Sequence, residues 1–310
     1  MAYLTEYQAN GKLLLTGEYA VLDGAKALAI PTKLGQRLEI ITSQNSQTDT
    51  LHWNSFDEQD QRWFQAHFNL PDLVVIATSD ELVSQRLQQL FQAIRLQNPN
   101  FLEESKDLQA NIYLEFPRNW GLGSSSTLVH LLAQWARVDP FPLQFEVFGG
   151  SAYDIACAGA QQPILYQKVQ KQPLVEEVDF APAFLDQLYF VYLGKKQDSR
   201  KGITQYRENA KAQAKLVQSI TKLTYEFLIA KDLETLEEII EQHEQLIAKN
   251  IDMQPVKERY FPDYWGAVKS LGAWGGDFVM VTSDRLKEET EAYFKNKNYQ
   301  IIFRYKDLVL

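Results

Sequence analysis

The sequence is poor in several features that would each point to a definite class of protein. It has one cysteine, Cys157, in 310 residues. No disulfide can form within the chain, which is compatible with a reducing compartment. No apolar run reaches the length of a membrane span. The first residues, Met1 to Glu6, lack the basic-then-apolar order of a secretory signal, so cytoplasm is the expected location. Basic residues are outnumbered, 31 against 40 acidic ones, for a net charge of −9. With no basic stripe, this argues against a general nucleic-acid surface and leaves room only for a local basic pocket. There is neither an internal repeat nor a low-complexity tract.

What is present suits a folded enzyme-sized chain. Hydrophobic residues make up 45%, enough for a sizeable core. The length fits two domains of ordinary size better than one large one. The charged stretch Lys168 to Pro182, with two prolines, is the expected boundary, giving domains 1–175 and 176–310.

Periodicity predicts short strands at Lys12 to Leu15 and Ala27 to Ile30, and one at Gln36 to Thr42 with Leu38 and Ile40 inward. A hairpin with a long connection is expected between Ser43 and Leu70, and a helix over Asp80 to Leu96. In the second half, Leu188 to Leu193 reads as a buried strand. One amphipathic helix is expected through Ile203, Tyr206, Ala210, Leu216, Ile220, Leu223 and Phe227, and another through Leu233, Leu236, Ile239, Ile240, His243, Leu246 and Ile247. A strand over Phe278 to Thr282, a helix over Leu286 to Phe294 and a strand over Gln300 to Arg304 complete an α+β pattern.

The richest segment runs from Pro117 to Ser126. It follows an alternating strand with Ala110, Ile112, Leu114 and Phe116 on one face, and it leads into the apolar helix Thr127 to Trp135. A Gly- and Ser-rich turn there gathers backbone N–H groups at a helix start, where the helix dipole favours phosphate oxygens. Gly121, Leu122, Gly123, Ser124, Ser125 and Ser126 are the candidate phosphate contacts. No Lys-Ser/Thr pair closes the turn, so it is not a Walker A loop. The same pattern also fits an ordinary strand–helix turn whose serines cap the helix.

Three further segments set this turn in a series: Asn10 to Gly24, with Lys12 and Gly17-Glu18-Tyr19; Gly149 to Ala156, with Ser151 and Asp154; and Lys269 to Asp277, with Gly272, Gly275 and Gly276. Their order and approximate spacing resemble the three motifs and the acidic loop of the GHMP kinases, which include galactokinase, homoserine kinase, mevalonate kinase and phosphomevalonate kinase. The resemblance spans essentially the whole chain. It implies a ribosomal-S5-like N-terminal domain, a ferredoxin-like C-terminal domain and a site between them that uses ATP and Mg²⁺.

Carried over by position, the resemblance makes Asp154 the catalytic base and Lys12 its cationic neighbour, which would keep Asp154 ionised. Ser125 becomes a Mg²⁺ ligand, and Glu18, Tyr19, Ser151, Gly272 and Gly275 become substrate-side groups. Each also has a plainer reading: Asp154 as a helix cap, Lys12 as a snorkelling strand lysine, Tyr19 as core, and the Gly275-Gly276 pair as a turn between strands.

Two departures from the family pattern stand out, Trp274 in the glycine run and Ala152 where glycine is usual. If that position needs positive φ, alanine there is strained. Glu146, the only acid close upstream of Asp154, reads as a solvated side chain rather than a metal ligand. The Gly-Glu-Tyr-Ala-Val wording, the Gly-Gly-Asp ending and the basic run Gly194 to Lys201 favour an anionic acceptor, mevalonate or phosphomevalonate. The alternatives are a kinase of another small alcohol (a sugar or homoserine) and a catalytically degenerate nucleotide-binding protein. Small-molecule partners, neither nucleic acid nor membrane, and a monomer or homodimer complete the expectation.

Overall fold

The computed structural model describes residues 2–43, 49–104, 107–170, 172–194, 199–208, 213–272, 274 and 276–310. The chain forms two compact units that interleave in sequence. The first comprises Met1–Gly11, Leu34–Arg118 and Leu122–Gly159; the second comprises Lys12–Lys33, Asn119–Gly121 and Ala160–Leu310.

The first unit is a sheet backed by helices. Its strands are β1 (Ala2–Leu14), β2 (Ala27–Ser43), β3 (Thr50–Phe56), β4 (Arg62–Asn69), β5 (Val74–Thr78) and, after helix α1 (Glu81–Gln97), β6 (Leu108–Leu114). Helices α2 (Ser124–Ala136), α3 (Pro140–Val147) and α4 (Tyr153–Gly159) follow. The strand order is β5-β4-β3-β6-β2, with β1 on β2. The β3–β6 pair is parallel and the others along this path are antiparallel. A parallel pair needs a crossover, and α1 lies in that connection.

The hairpin expected between Ser43 and Leu70 is formed by β3 and β4. Just beyond it lies a further strand, β5, whose residues are mostly exposed and therefore show no alternation. In the same way β1 extends far upstream of the apolar Lys12 to Leu15 run, because Tyr3 to Glu6 are exposed and give no periodic signal. The core joins alternate residues of the sheet, such as Trp53, Phe68 and Ile112, to the inner faces of α1 (Leu87, Phe91, Ile94) and α2 (Val129, Leu132).

In the second unit, Ala27, Leu28 and Ala29 of β2 pair with β7 (Ile164–Val169), which pairs with β8 (Gln172–Glu177). The rest is strand β9 (Leu188–Tyr192), helices α5 (Ser199–Glu208), α6 (Gln213–Leu228), α7 (Leu233–Ile251) and α8 (Val256–Tyr260), strands β10 (Val268–Ser270) and β11 (Phe278–Thr282), helix α9 (Lys287–Asn296), strand β12 (Ile302–Arg304) and helix α10 (Tyr305–Leu308). The second sheet is antiparallel in the order β10-β11-β9-β12. Counted along the chain this is the 2-3-1-4 order of a βαββαβ unit, the ferredoxin-like arrangement.

Every residue of β9 and β11 is buried. That burial is why both read as continuous apolar runs rather than alternating ones. The helix expected from Ile203 to Phe227 is described as two segments, α5 and α6, with 209–212 outside the described residues. Among the described residues no helix is long and apolar enough to cross a membrane.

Candidate active site

The Gly-Ser turn passes from the second unit to the first at Gly121 and Leu122. Leu122 is buried and anchors it. Gly123 is the residue before α2, with φ +95°, a conformation that glycine adopts without cost. No side chain caps the helix. Ser126 Oγ donates back to Gly123 O at 2.8 Å, and Thr127 Oγ1 lies 2.7 Å from Gln36 Oε1. The hydroxyls of Ser124 and Ser125 make no hydrogen bond among the described residues, and Ser125 is exposed. The serines therefore divide: Ser126 holds the turn, while Ser124 and Ser125 leave their hydroxyls and the first-turn amides available to an anion.

Ser124 and Ser125 edge a cavity of about 340 Å³ within the first unit. Its walls include Trp53, Trp63, Leu87, Phe148 and Arg118. The Arg118 guanidinium sits 3.6 Å from the centre of the Trp63 ring, and Arg86 donates to Val147 O at 2.7 Å. Aromatic faces that can sandwich a planar ring thus border the anion-ready end of α2. Sequence reading did not find this cavity. Trp53 and Trp63 lie in the otherwise polar stretch Ser43 to Leu70, and nothing in the sequence sets them beside Ser124.

In the same unit Asp154 lies in the first turn of α4, half-buried, with Oδ1 accepting from Ile155 N at 3.2 Å. The helix begins one residue earlier, at Tyr153, so Asp154 is not the residue before the helix. Ser151 is buried. Ala152 has φ +66°, so the strain expected for an alanine at this position is present. Glu146 is exposed on α3.

In the second unit Lys12 Nζ donates to Gly121 O at 2.7 Å, which ties the first motif to the start of the Gly-Ser segment. Asn119 and Trp120 are anchored there too. Tyr192 donates to Asn119 O at 3.0 Å, and the Trp120 ring packs on Tyr192, Phe278 and Phe303.

Glu18 and Tyr19, expected on the substrate side, are only 1% and 7% exposed. The Glu18 carboxylate pairs with Lys269, and Tyr19 Oη accepts from Trp274 N at 3.3 Å. The Trp274 side chain is buried in the unit. Gly272 is half-buried with open space around it, while Gly275 lies outside the described residues. Of the basic run, 195–198 likewise lie outside them. Among the described residues no group of three or more His, Cys, Asp or Glu side chains is arranged to hold a metal.

No protein-family model matches the sequence, and no curated protein matches it. Solved structures do match, over nearly the full length. The mevalonate kinase of Methanococcus jannaschii is 17% identical with a TM-score of 0.68, over 98% of this chain and 97% of that one. The phosphomevalonate kinase of Streptococcus pneumoniae, in complex with phosphomevalonate and AMPPNP, is 18% identical with a TM-score of 0.70, over 97% and 99%. The galactokinase of Lactococcus lactis, complexed with galactose, is 12% identical with a TM-score of 0.67, over 97% and 92%.

Proposed function

We propose that this chain, which has the fold of the GHMP kinases, is an ATP-dependent kinase that moves the γ-phosphoryl group to a small anionic acceptor, mevalonate or its 5-phosphate. The observation that carries the reading is the uncapped start of α2. There the unbonded Ser124 and Ser125 hydroxyls border a cavity walled by Trp53, Trp63 and Arg118. The aromatic walls take the base. The amides of residues 123–126 and the two hydroxyls take the phosphates, with charge development met by fixed dipoles rather than by reorganising water.

With mevalonate, Asp154 accepts the proton of the acceptor hydroxyl as its oxygen bonds to the γ-phosphorus and the bond from that phosphorus to the β-phosphate oxygen breaks, releasing ADP. With the 5-phosphate the attacking oxygen belongs to a phosphate, and Asp154 takes whatever proton it carries. An aspartate is a weak base, so its contribution is orientation and a late proton transfer. Lys12 supplies positive charge for the transferred group. Its hydrogen bond to Gly121 O fixes where that charge sits relative to the turn.

The residues present suit Mg²⁺ held mainly by phosphate oxygens and water, with the exposed Ser125 hydroxyl as the protein ligand. Bound there, the metal would neutralise charge on the β- and γ-phosphates.

Coupled ATP turnover on mevalonate, phosphomevalonate, homoserine and galactose tests the acceptor. Turnover confined to homoserine or galactose would move the assignment to another small alcohol. Asp154→Asn and Lys12→Met are each expected to lower kcat at least ~100-fold while AMPPNP binding survives. Unchanged turnover in either variant overturns the role given to that residue.

A further inference from the structure

Apart from the groups assigned to phosphoryl transfer, the second unit encloses a cluster of acid, histidine and lysine side chains almost entirely shielded from water: Glu18, His243, Glu244 and Lys269. They come from the turn after β1, from α7 and from β10. One ammonium therefore faces two carboxyl groups.

The two carboxyl groups are not equivalent. Glu244 is offered three donors: Lys269 Nζ at 3.2 Å, Ser270 N at 3.1 Å and Ser270 Oγ at 2.8 Å. That set stabilises its ionised form. Glu18 has the Lys269 ammonium on one oxygen only. Its Oε2 has no hydrogen-bond partner among the described residues and lies 3.3 Å from His243 Nε2.

That nitrogen already accepts the Gly17 N–H at 3.1 Å, so the imidazole is neutral with its proton on Nδ1, which has no hydrogen-bond partner among the described residues. An ionised Glu18 would set lone pair against lone pair and leave a net negative charge in the core. One proton on Glu18 Oε2 removes both conflicts. It replaces the facing lone pairs by an O–H that shares the single Nε2 lone pair with the Gly17 N–H, and it leaves Lys269 and Glu244 as a neutral pair. Burial raises both carboxyl groups, Glu18 up to about 7 and Glu244 also above its ordinary value against the pull of Lys269 and Ser270, and it holds His243 well below its own. The donor set is what makes Glu18 rather than Glu244 the protonated one.

The turn that this cluster holds is strained. Tyr19 sits at φ 58°, ψ −48°, costly for a bulky residue. Gly17 is at φ +95°, and a Cβ there would fall 2.5 Å from Ala27 Cβ. Such a backbone persists only where its surroundings over-determine it. Here they do so through His243 on Gly17, Lys269 on Glu18, and Trp274 and the Tyr206 ring on Tyr19. Upstream the turn is joined to Lys12 through buried Leu13, Leu14, Leu15 and Thr16.

We propose that His243, Glu244 and Lys269 are positioning residues. They keep one proton between Glu18 and His243, and that proton locks the Gly17-Glu18-Tyr19 turn, which sets Lys12 and the Trp274 loop. The catalytic consequence rests on the kinase reading above; the shared proton does not. Glu18 is faced by His243 and Glu244 from α7, by Lys269 from β10, and by Tyr19 along the turn itself.

The test compares the full-length wild type with Glu18→Gln, whose amide carries a permanent donor in place of the proton. The wild-type Tm is expected to fall by several degrees relative to Glu18→Gln as pH rises from about 5 to about 8. Turnover of mevalonate or phosphomevalonate, whichever reacts, should drop at least ~5-fold in the wild type between about pH 6.5 and pH 8.5 and stay level in Glu18→Gln. If neither compound reacts, the acceptor assignment fails on its own while the kinase class stands, and AMPPNP affinity takes the place of turnover with the same expected contrast. Parallel melting curves overturn the shared proton. Diverging curves with identical pH profiles overturn the positioning role and leave the cluster purely structural.

Discussion

Single side chains give the sharpest expectations where charge is buried. Lys269 is enclosed with two carboxyl groups, so Lys269→Met leaves them without a counter-charge. Such a loss costs about 3–5 kcal/mol, to be read from urea denaturation, and adding Glu244→Gln should recover part of it. The pH dependence has a definite sign. Glu18 moves from 4.5 to about 7 on folding, so the folded state holds extra protons across that interval. Glu18's contribution to stability therefore declines as pH rises from about 4.5 to about 7, by about 3 kcal/mol. Glu18→Gln removes that part of the slope, leaving the same-signed part from Glu244, which burial also raises. His243 is displaced downward. Its contribution is present above the ordinary histidine value of about 6.5 and is lost as pH falls below it. The two slopes oppose each other in mildly acidic solution, which makes the single variants more informative than the wild type alone. None of this cluster was legible in sequence. His243 fell on the apolar stripe of a helix, Glu244 beside it among many glutamates, and Lys269 at the start of a motif. Their partners are far along the chain: Lys269 and Glu18 are 251 positions apart.

At the scale of elements, the strand–turn–helix around the Gly-Ser segment was readable because each part carries a local signal. Alternation marks β6, glycine marks the turn, and a helical apolar face marks α2. Helix α1 was readable for the same reason, and its start has a visible cap: Asp80 Oδ1 accepts from Leu82 N at 2.9 Å and Val83 N at 3.2 Å. Asp80→Ala should cost about 1 kcal/mol in thermal or chemical denaturation. The short helices α3 and α4 gave no comparable signal because each spans barely two turns, and β8 gave none because nearly every one of its residues is exposed. The cavity beside α2 draws on β3, β4 and α1 as well, so it exists only once those elements pack. Trp63 stacks under Arg118 at its wall. Trp63→Ala is expected to weaken AMPPNP binding ~10-fold while leaving the melting temperature nearly unchanged, as calorimetric titration and a thermal scan would show.

For the whole molecule, the interleaving of the two units matters most. Residues 12–33 and 119–121 lie early in the chain but belong with 160–310. Their contacts show why: Lys26 N donates to Thr221 at 3.1 Å, Thr16 meets Thr224 at 2.8 Å, and Trp120 packs on Phe303. A fragment ending at 175 would leave these groups unmatched and cut β8. It is expected to show no cooperative melt by circular dichroism, whereas the full chain does. Local stretches of sequence carried the α+β class, the order of the glycine-rich segments and the helix after the Gly-Ser turn, because each is encoded by periodicity and backbone preference over a few residues. Tertiary packing alone settled which serine hydroxyls stay unbonded, which aromatic rings wall the cavity, and that Glu18 is buried against Lys269 and His243. Those outcomes depend on desolvation and on donors brought from distant positions, and no local pattern of residues records either.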